Sequence, residues 1–362
     1  MVKILLEIIP LLFFALLLWK IKPVENLRTD FNEDYLSQSS AQVLRGVFAM
    51  EVLLHHVSQR VTCAPLYSVF SVDVFAGVPV FFFLSGYGLQ TQYRRKGREY
   101  RRFFLLKRLP SVLIPYLIAH VLYYIYYLVQ GKHCSLRAIL AKFTTGMPLV
   151  SFSWFILSLL IFYLAYKLSM LLCGKHRRAM LIAMSVFYVL YVAFFVKIGF
   201  YSWWYNSQHL FVFGMFWAEY EEKILAFVKK HYLPTTIVTA VVYLFLACFS
   251  GRLSAVLPHS TVLLRDALNL AEVTLILLLC LKFRVGNPAS RFLGDISFEI
   301  YLSQGLFMWL LECGLDNFTG AVLVIACTVA FAALLYIPDK YLVGKYREFL
   351  EKITAKPEEM DA

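Results

Sequence analysis

Apolar residues recur along this chain in runs long enough to cross a bilayer. They fall at 4–19, 43–59, 70–92, 108–130, 152–173, 178–198, 205–220, 233–250, 260–281, 292–312 and 318–338. A helix of about 20 apolar residues spans the hydrocarbon core. The pattern therefore predicts an all-α integral membrane protein of about eleven transmembrane helices around a central cavity. The seventh run is the weakest, being short and carrying His209. The first has only Lys3 before it, and Leu18-Trp19-Lys20 is a poor cleavage site, so it reads as an uncleaved anchor rather than a signal peptide. The longest polar stretches are 20–42, 93–107 and 339–362. They divide the chain into an anchor helix and cytoplasmic linker (1–40), a polytopic membrane domain (41–338) and a cytoplasmic tail (339–362).

Composition agrees with the pattern. Sixty per cent of the 362 residues are hydrophobic, against roughly 45–50% in soluble domains. The net charge of +12 raises the question of nucleic acid. That partner is excluded because the basic residues sit in loops between apolar runs, where they set orientation. With the amino terminus outside, the outer loops hold eight Lys and Arg: Lys3, Arg60, Lys132, Arg137, Lys142, Lys197, Arg252 and Arg265. Arg45 and Lys167 lie within spans. The remaining 25 of the 35 fall on the inner side, which places the carboxyl terminus in the cytoplasm. The seven cysteines include no CxxC pair, so neither a disulfide framework nor a metal site is implied.

Candidate chemistry concentrates in the second run, AQVLRGVFAMEVLLHHV at 41–57. Arg45, Glu51, His55 and His56 are ionisable groups in a membrane-length helix, where such residues are costly and usually functional. Arg45 and His56 are eleven residues apart, about 1100° of helical rotation, so they share one face with roughly 16 Å of rise between them. Glu51 and His55 are neighbours one turn apart. A neutral imidazole shielded from water suits a general base near neutral pH. A carboxylate in the position of Glu51 can orient such a ring and stabilise its charged form. Geometry alone does not choose between the two histidines. Residues 94–108, RRKGREYRRFFLLKR, carry eight positive charges. They act as an orientation signal and as a cradle for a phosphorylated cytosolic ligand, since arginine binds phosphate in bidentate fashion.

The run LRGVFAMEVLLHH resembles the first core helix of the membrane acyltransferase-3 family, with Arg45 and His56 at the family spacing. PVFFFLSGYGL at 79–89 resembles its FF-x-LSG-aromatic motif, through Ser85, Gly86 and Tyr87. FFLLKRLPSVLIPY at 103–116 is similar to its basic-to-IPY segment, through Arg108, Pro115 and Tyr116. SWFILSLL at 153–160 and FLGDISFEIYLSQG at 292–305 resemble two later segments, and all stand in the family's order. Three positions depart from the pattern: Pro79 replaces an acidic residue, Ser111 the second basic residue of a paired-Arg motif, and Gln304 a late histidine.

The resemblance implies an O-acyltransferase of the bacterial plasma membrane. It would move acetyl from cytosolic acetyl-CoA to a hydroxyl of a cell-surface or lipid-linked carbohydrate. No cofactor is held permanently; acyl-CoA is the donor substrate, and the bilayer and a glycan acceptor are the other partners. The catalytic candidates are His56, His55 and Glu51. The binding candidates are Arg45, Arg108, Ser85, Tyr87, Trp154 and Tyr301. His120, His209, Asp266, Glu272, Trp203 and Trp204 are further polar or aromatic residues for a sugar-lined cavity. A flippase of lipid-linked sugars is the alternative reading, since intramembrane charge suits a transport path equally well. Acetyl-CoA binding that depends on Arg45 separates the two.

Overall fold

The computed structural model describes residues 5–60, 65–70, 77–132, 135–256, 260–310 and 318–354. The described chain is nearly all helical. Helix α1 is Ile8–Leu18, α2 Gln38–Ser58, α3 Gly77–Arg108, α4 Pro110–Val129, α5 Leu136–Thr144, α6 Trp154–Cys173 and α7 Arg177–Lys197. There follow α8 His209–Lys230, α9 Tyr232–Val256, α10 Thr261–Lys282, α11 Pro288–Asp295, α12 Ser297–Leu310 and α13 Phe318–Thr354. A helix lies over each of the eleven apolar runs. Five helical stretches are long and apolar enough to cross a membrane by length and composition: 77–129, 154–173, 177–197, 232–256 and 318–354. Large apolar side chains such as Leu172, Ile182, Val238 and Leu334 cover the outer surface of these helices. Water would not tolerate so continuous an apolar coat, whereas lipid requires it. The protein is a multi-pass membrane protein.

Helix α2 is the hub. One face, with Leu44, Phe48 and Val52, belongs to a large core shared with α3, α4, α6, α7, α8, α10 and α12. The other, with Ala49, Leu53, Leu54 and Val57, packs into a second core with α1, α11, α12 and α13. Small residues let backbones approach at two crossings, as in membrane helix pairs generally. A methyl group on Gly86 would overlap the Phe211 carbonyl oxygen, and one on Gly214 would overlap the Phe83 carbonyl oxygen, so α3 and α8 lock reciprocally. Gly46 of α2 and Gly294 of α11 do the same, against the Ser290 and Gln42 carbonyls. The glycines of the LRG, LSG and FLGD motifs are therefore packing residues.

Three polar stretches differ from their sequence reading. The linker 20–37 is docked: β1 (Lys22–Pro23) pairs antiparallel with β2 (Phe283–Arg284). Buried Lys282 donates to the Asp30 carbonyl at 2.6 Å and lies 3.4 Å from the centroid of the Phe31 ring. The basic stretch 94–108 is not a loop but the last turns of α3, broken only at Gly97, where φ is +54°. The last span does not stop at 338; α13 runs through Pro338 to Thr354. In both cases charged residues follow an apolar span and the helix continues, despite Gly97 in one and Pro338 in the other. The tail segment 356–362 lies outside the described residues.

Candidate active site

The amino-terminal cap of α2 is Ser37, whose hydroxyl accepts from the Ser40 backbone N–H. From there the helix carries its ionisable residues to two cavities, one at each end. The cavity at the Arg45 end, termed inner after the orientation that the charge distribution predicts, is about 300 Å3 and is lined by Arg45, Ser85, Arg108, Ser111, Tyr163 and Tyr301, with apolar residues between them. The outer cavity, about 670 Å3, is lined by Glu51, His55, His56, Phe152, Trp154 and Tyr301 among others. Arg45 and His56 thus open onto different cavities from one helix. Tyr301 of α12 belongs to both walls.

Tyr301 is tied at this wall to Phe152, which lines the outer cavity. The Tyr301 hydroxyl donates to the backbone carbonyl of Phe152. Phe152 sits in the left-handed region, with φ +63°, a conformation costly for a residue with a side chain. Its ring lies over the His56 imidazole, with centroids 3.7 Å apart. The His56 Nδ1 is buried and has no hydrogen-bond partner among the described residues.

His55 is differently placed. Its Nδ1 lies 2.6 Å from the Phe70 carbonyl oxygen, so that nitrogen donates. Its Nε2 then accepts from Gln59 Nε2 at 3.0 Å. With both ring nitrogens engaged, His55 is fixed beside His56, at a centroid distance of 5.2 Å. Glu51 Oε2 accepts from the Gly77 backbone N–H at 2.8 Å, fastening α2 to the first turn of α3. The His55 ring is thus oriented by Phe70 and Gln59, and Glu51 anchors a helix start.

Of the remaining expected binding residues, Ser85 and Arg108 face the inner cavity, Trp154 the outer one and Tyr301 both. Tyr87 faces neither cavity; its hydroxyl donates to Glu221 at 2.9 Å. Gly86 turns against α8, and the next residue follows it to that side, where Tyr35 also donates to Glu221 at 2.7 Å. Trp203 lines the outer cavity, whereas Trp204 is buried and stacked on Phe195. His120 is directed to the Tyr116 carbonyl, 2.9 Å away. His209 pairs with Asp266 at 3.2 Å, and Tyr188 donates to the same carboxylate; this is a polar tie between α7, α8 and α10. Glu272 is buried in α10.

The basic end of α3 divides in two. Arg94 donates to the Ala218 carbonyl and approaches Glu222 to 3.9 Å. Beyond Gly97, Arg98, Arg101 and Arg102 line a recess of about 560 Å3 together with Lys167. Ser111, where the paired-Arg pattern lacks its second cation, accepts from Arg347 Nη2 at 3.1 Å. A guanidinium therefore reaches the edge of the inner cavity from α13. Neither Phe152 nor Arg347 carries a signal in the sequence: one is defined by a backbone angle, the other by a contact across 236 residues.

A family model described as an acyltransferase domain, of the acyltransferase-3 family, matches residues 39–337. No curated protein and no solved structure matches the chain. The matched region begins at α2 and ends within α13, so it contains both cavities.

Proposed function

The chain belongs to the membrane acyltransferase-3 family, and we infer from that premise that it moves an acetyl group from cytosolic acetyl-CoA to a hydroxyl of a cell-surface or lipid-linked carbohydrate. The setting is a bacterial plasma membrane crossed eleven times, with the amino terminus outside and the carboxyl terminus in the cytoplasm. One observation carries the reading: Arg45 and His56, on one face of α2, open onto separate cavities that share the Tyr301 wall. A donor with a phosphate-rich head and a long thin arm matches such a pair. Arg45 and Arg108 suit the phosphates, with the recess of Arg98, Arg101 and Arg102 on the approach. The arm bridges the rise of roughly 16 Å to His56.

In the direct route, the His56 imidazole takes the proton of the acceptor hydroxyl. The oxygen attacks the thioester carbonyl, the C–S bond breaks, and the CoA thiolate leaves and recovers the proton from the imidazolium. In the two-step route, a His56 ring nitrogen attacks the thioester first, CoA leaves as the thiol, and the hydroxyl then takes the acetyl group from the ring. Ping-pong kinetics belong to the second route alone. His55, with both nitrogens engaged, supports His56 by position. The Tyr301–Phe152 contact lies across the path of the arm and must yield for transfer to occur.

The test is His56→Ala, assayed for acetyl transfer in membranes that contain the full chain. Activity is expected to fall by about 100-fold or more, with detergent-extracted protein eluting as wild type. Transfer near the wild-type rate removes His56 from the chemistry.

A further inference from the structure

The recess at the basic end of α3 stands apart from both cavities of the transfer reaction. It is lined by Arg98, Glu99, Arg101, Arg102, Lys167 and Leu171 among others, and it shares no residue with either cavity. Four cations against the single carboxylate of Glu99 leave it three positive charges. Among the described residues, none of the three guanidinium groups forms a salt bridge. Elsewhere on this side arginines are paired: Arg94 reaches Glu222 at 3.9 Å and Arg177 binds Glu219 at 3.0 Å.

The cations come from two helices. Lys167 Nζ of α6 donates to the Arg101 backbone carbonyl, which holds its ammonium among the arginines of α3. Like charges gathered in one place repel, and a bound anion removes that cost. Lys167 also lies inside the apolar run 152–173, where a charge is expensive and usually functional. Its helix face continues through Leu164 and Leu171, three positions before and four after it. Both leucines are exposed on the outer surface, and Leu171 lines the recess itself. The cationic wall therefore runs directly into an apolar surface that faces lipid. A phospholipid joins those two features in one molecule, whereas a soluble phosphate offers nothing to the leucine face. Basic pockets between helices on the cytoplasmic side of membrane proteins bind acidic lipid heads in this manner.

We propose that the recess between α3 and α6 holds the phosphate headgroup of an anionic phospholipid, with its acyl chains along Leu164 and Leu171. The phosphodiester carries one negative charge, so the approach of the donor stays positive with the lipid in place. No step of acyl transfer enters the proposal.

The experiment titrates the full-length protein in maltoside micelles with dioleoyl phosphatidylglycerol or dioleoyl phosphatidylcholine and reads bound lipid by native mass spectrometry. The two lipids share their chains and their phosphate and differ in the choline charge. The first phosphatidylglycerol is expected to bind about tenfold or more tighter than phosphatidylcholine, with a preference that shrinks as salt is raised. In the combined variant Arg98→Gln, Arg101→Gln, Arg102→Gln the preference is expected to fall to about threefold or less. A control variant, Lys175→Gln, Arg178→Gln, Lys223→Gln, removes three exposed cations that do not line the recess. It is expected to keep the full preference. Should the arginine variant not fold, Lys167→Gln, which retains a donor for the Arg101 carbonyl, is expected to lower the preference about threefold. Coenzyme A and glycerol 1-phosphate, each in excess, are expected to leave the bound lipid in place. Equal binding of the two lipids, a preference that survives loss of the recess cations, or an equal loss in the control variant overturns the proposal. Displacement of the lipid by coenzyme A or by glycerol 1-phosphate also overturns it and assigns the recess to a soluble phosphate. Failure of the acyltransferase reading, seen as an active His56→Ala variant, leaves the lipid result standing.

Discussion

The Phe152 ring covers the His56 imidazole, with planes within 20° of parallel, and the Phe152 carbonyl is held by the Tyr301 hydroxyl. The residue that shields the candidate base is thus tied to the residue that both cavities share. Aromatic pairs add about 0.5–1.5 kcal/mol beyond the area buried, enough to hold the ring yet small enough to be displaced by a bound substrate. Phe152→Leu keeps an apolar cover without the stacked face. Acetyl transfer is expected to fall by about tenfold, with protein yield and elution unchanged. Tyr301→Phe removes only the hydroxyl and is expected to change kcat more than the KM for acetyl-CoA. A Phe152→Leu rate equal to wild type argues that the stack has no part in presenting His56.

The two glycines of SGYG separate packing from open space. A methyl on Gly86 meets the Phe211 backbone, which cannot move aside, whereas a methyl on Gly88 meets nothing within 4 Å. Overpacking of this kind costs about 1–3 kcal/mol or more. Gly86→Ala is expected to lower thermal stability in detergent markedly, and Gly88→Ala to leave it near wild type. Comparable melting of the two variants contradicts the α3–α8 crossing described above.

Much of this arrangement was legible in the chain. The eleven-residue spacing of Arg45 and His56 predicts a common face on one central cavity; the structure instead sets the two side chains on separate cavities that share Tyr301. Ser85 and Arg108 line the inner cavity and Trp154 the outer one. Tyr87 is the exception: it follows Ser85 by two positions, about 200° of helical rotation, so the motif that faces Ser85 inward turns its aromatic residue towards Glu221. The basic stretch at 94–108 read as a loop because charge patterning marks the membrane boundary and carries no information on where a helix ends. Phe152 was invisible for a different reason. A positive φ in a phenylalanine is imposed by its surroundings and leaves no trace in residue type.

Glu51 gives a test of structural against chemical roles. Its Oε2 accepts from the Gly77 N–H, and a glutamine there retains an acceptor oxygen. Glu51→Gln is expected to fold and to keep α3 in place. Glu51→Ala leaves that buried N–H without its acceptor and is expected to destabilise by about 1–3 kcal/mol. Thermal unfolding of the purified variants measures the difference. An alanine variant as stable as the glutamine one shows that the Gly77 contact contributes little.

Arg347 is far in sequence from every acyltransferase motif, yet its Nη2 donates to Ser111 at 3.1 Å, on the wall of the inner cavity. If acetyl-CoA phosphates bind at Arg45 and Arg108, a guanidinium at Ser111 adds a third positive charge to the same region. It is exposed, so its effect is screened and belongs to encounter and ground-state binding rather than to the transition state. Arg347→Gln is expected to raise the KM for acetyl-CoA several-fold, more strongly at low salt, with kcat close to wild type. Ser111→Arg in that background restores a cation at the same wall and is expected to recover most of the KM. A fall in kcat with KM unchanged would place Arg347 outside donor binding, and an unaltered KM at low salt would mean that no phosphate lies within its reach.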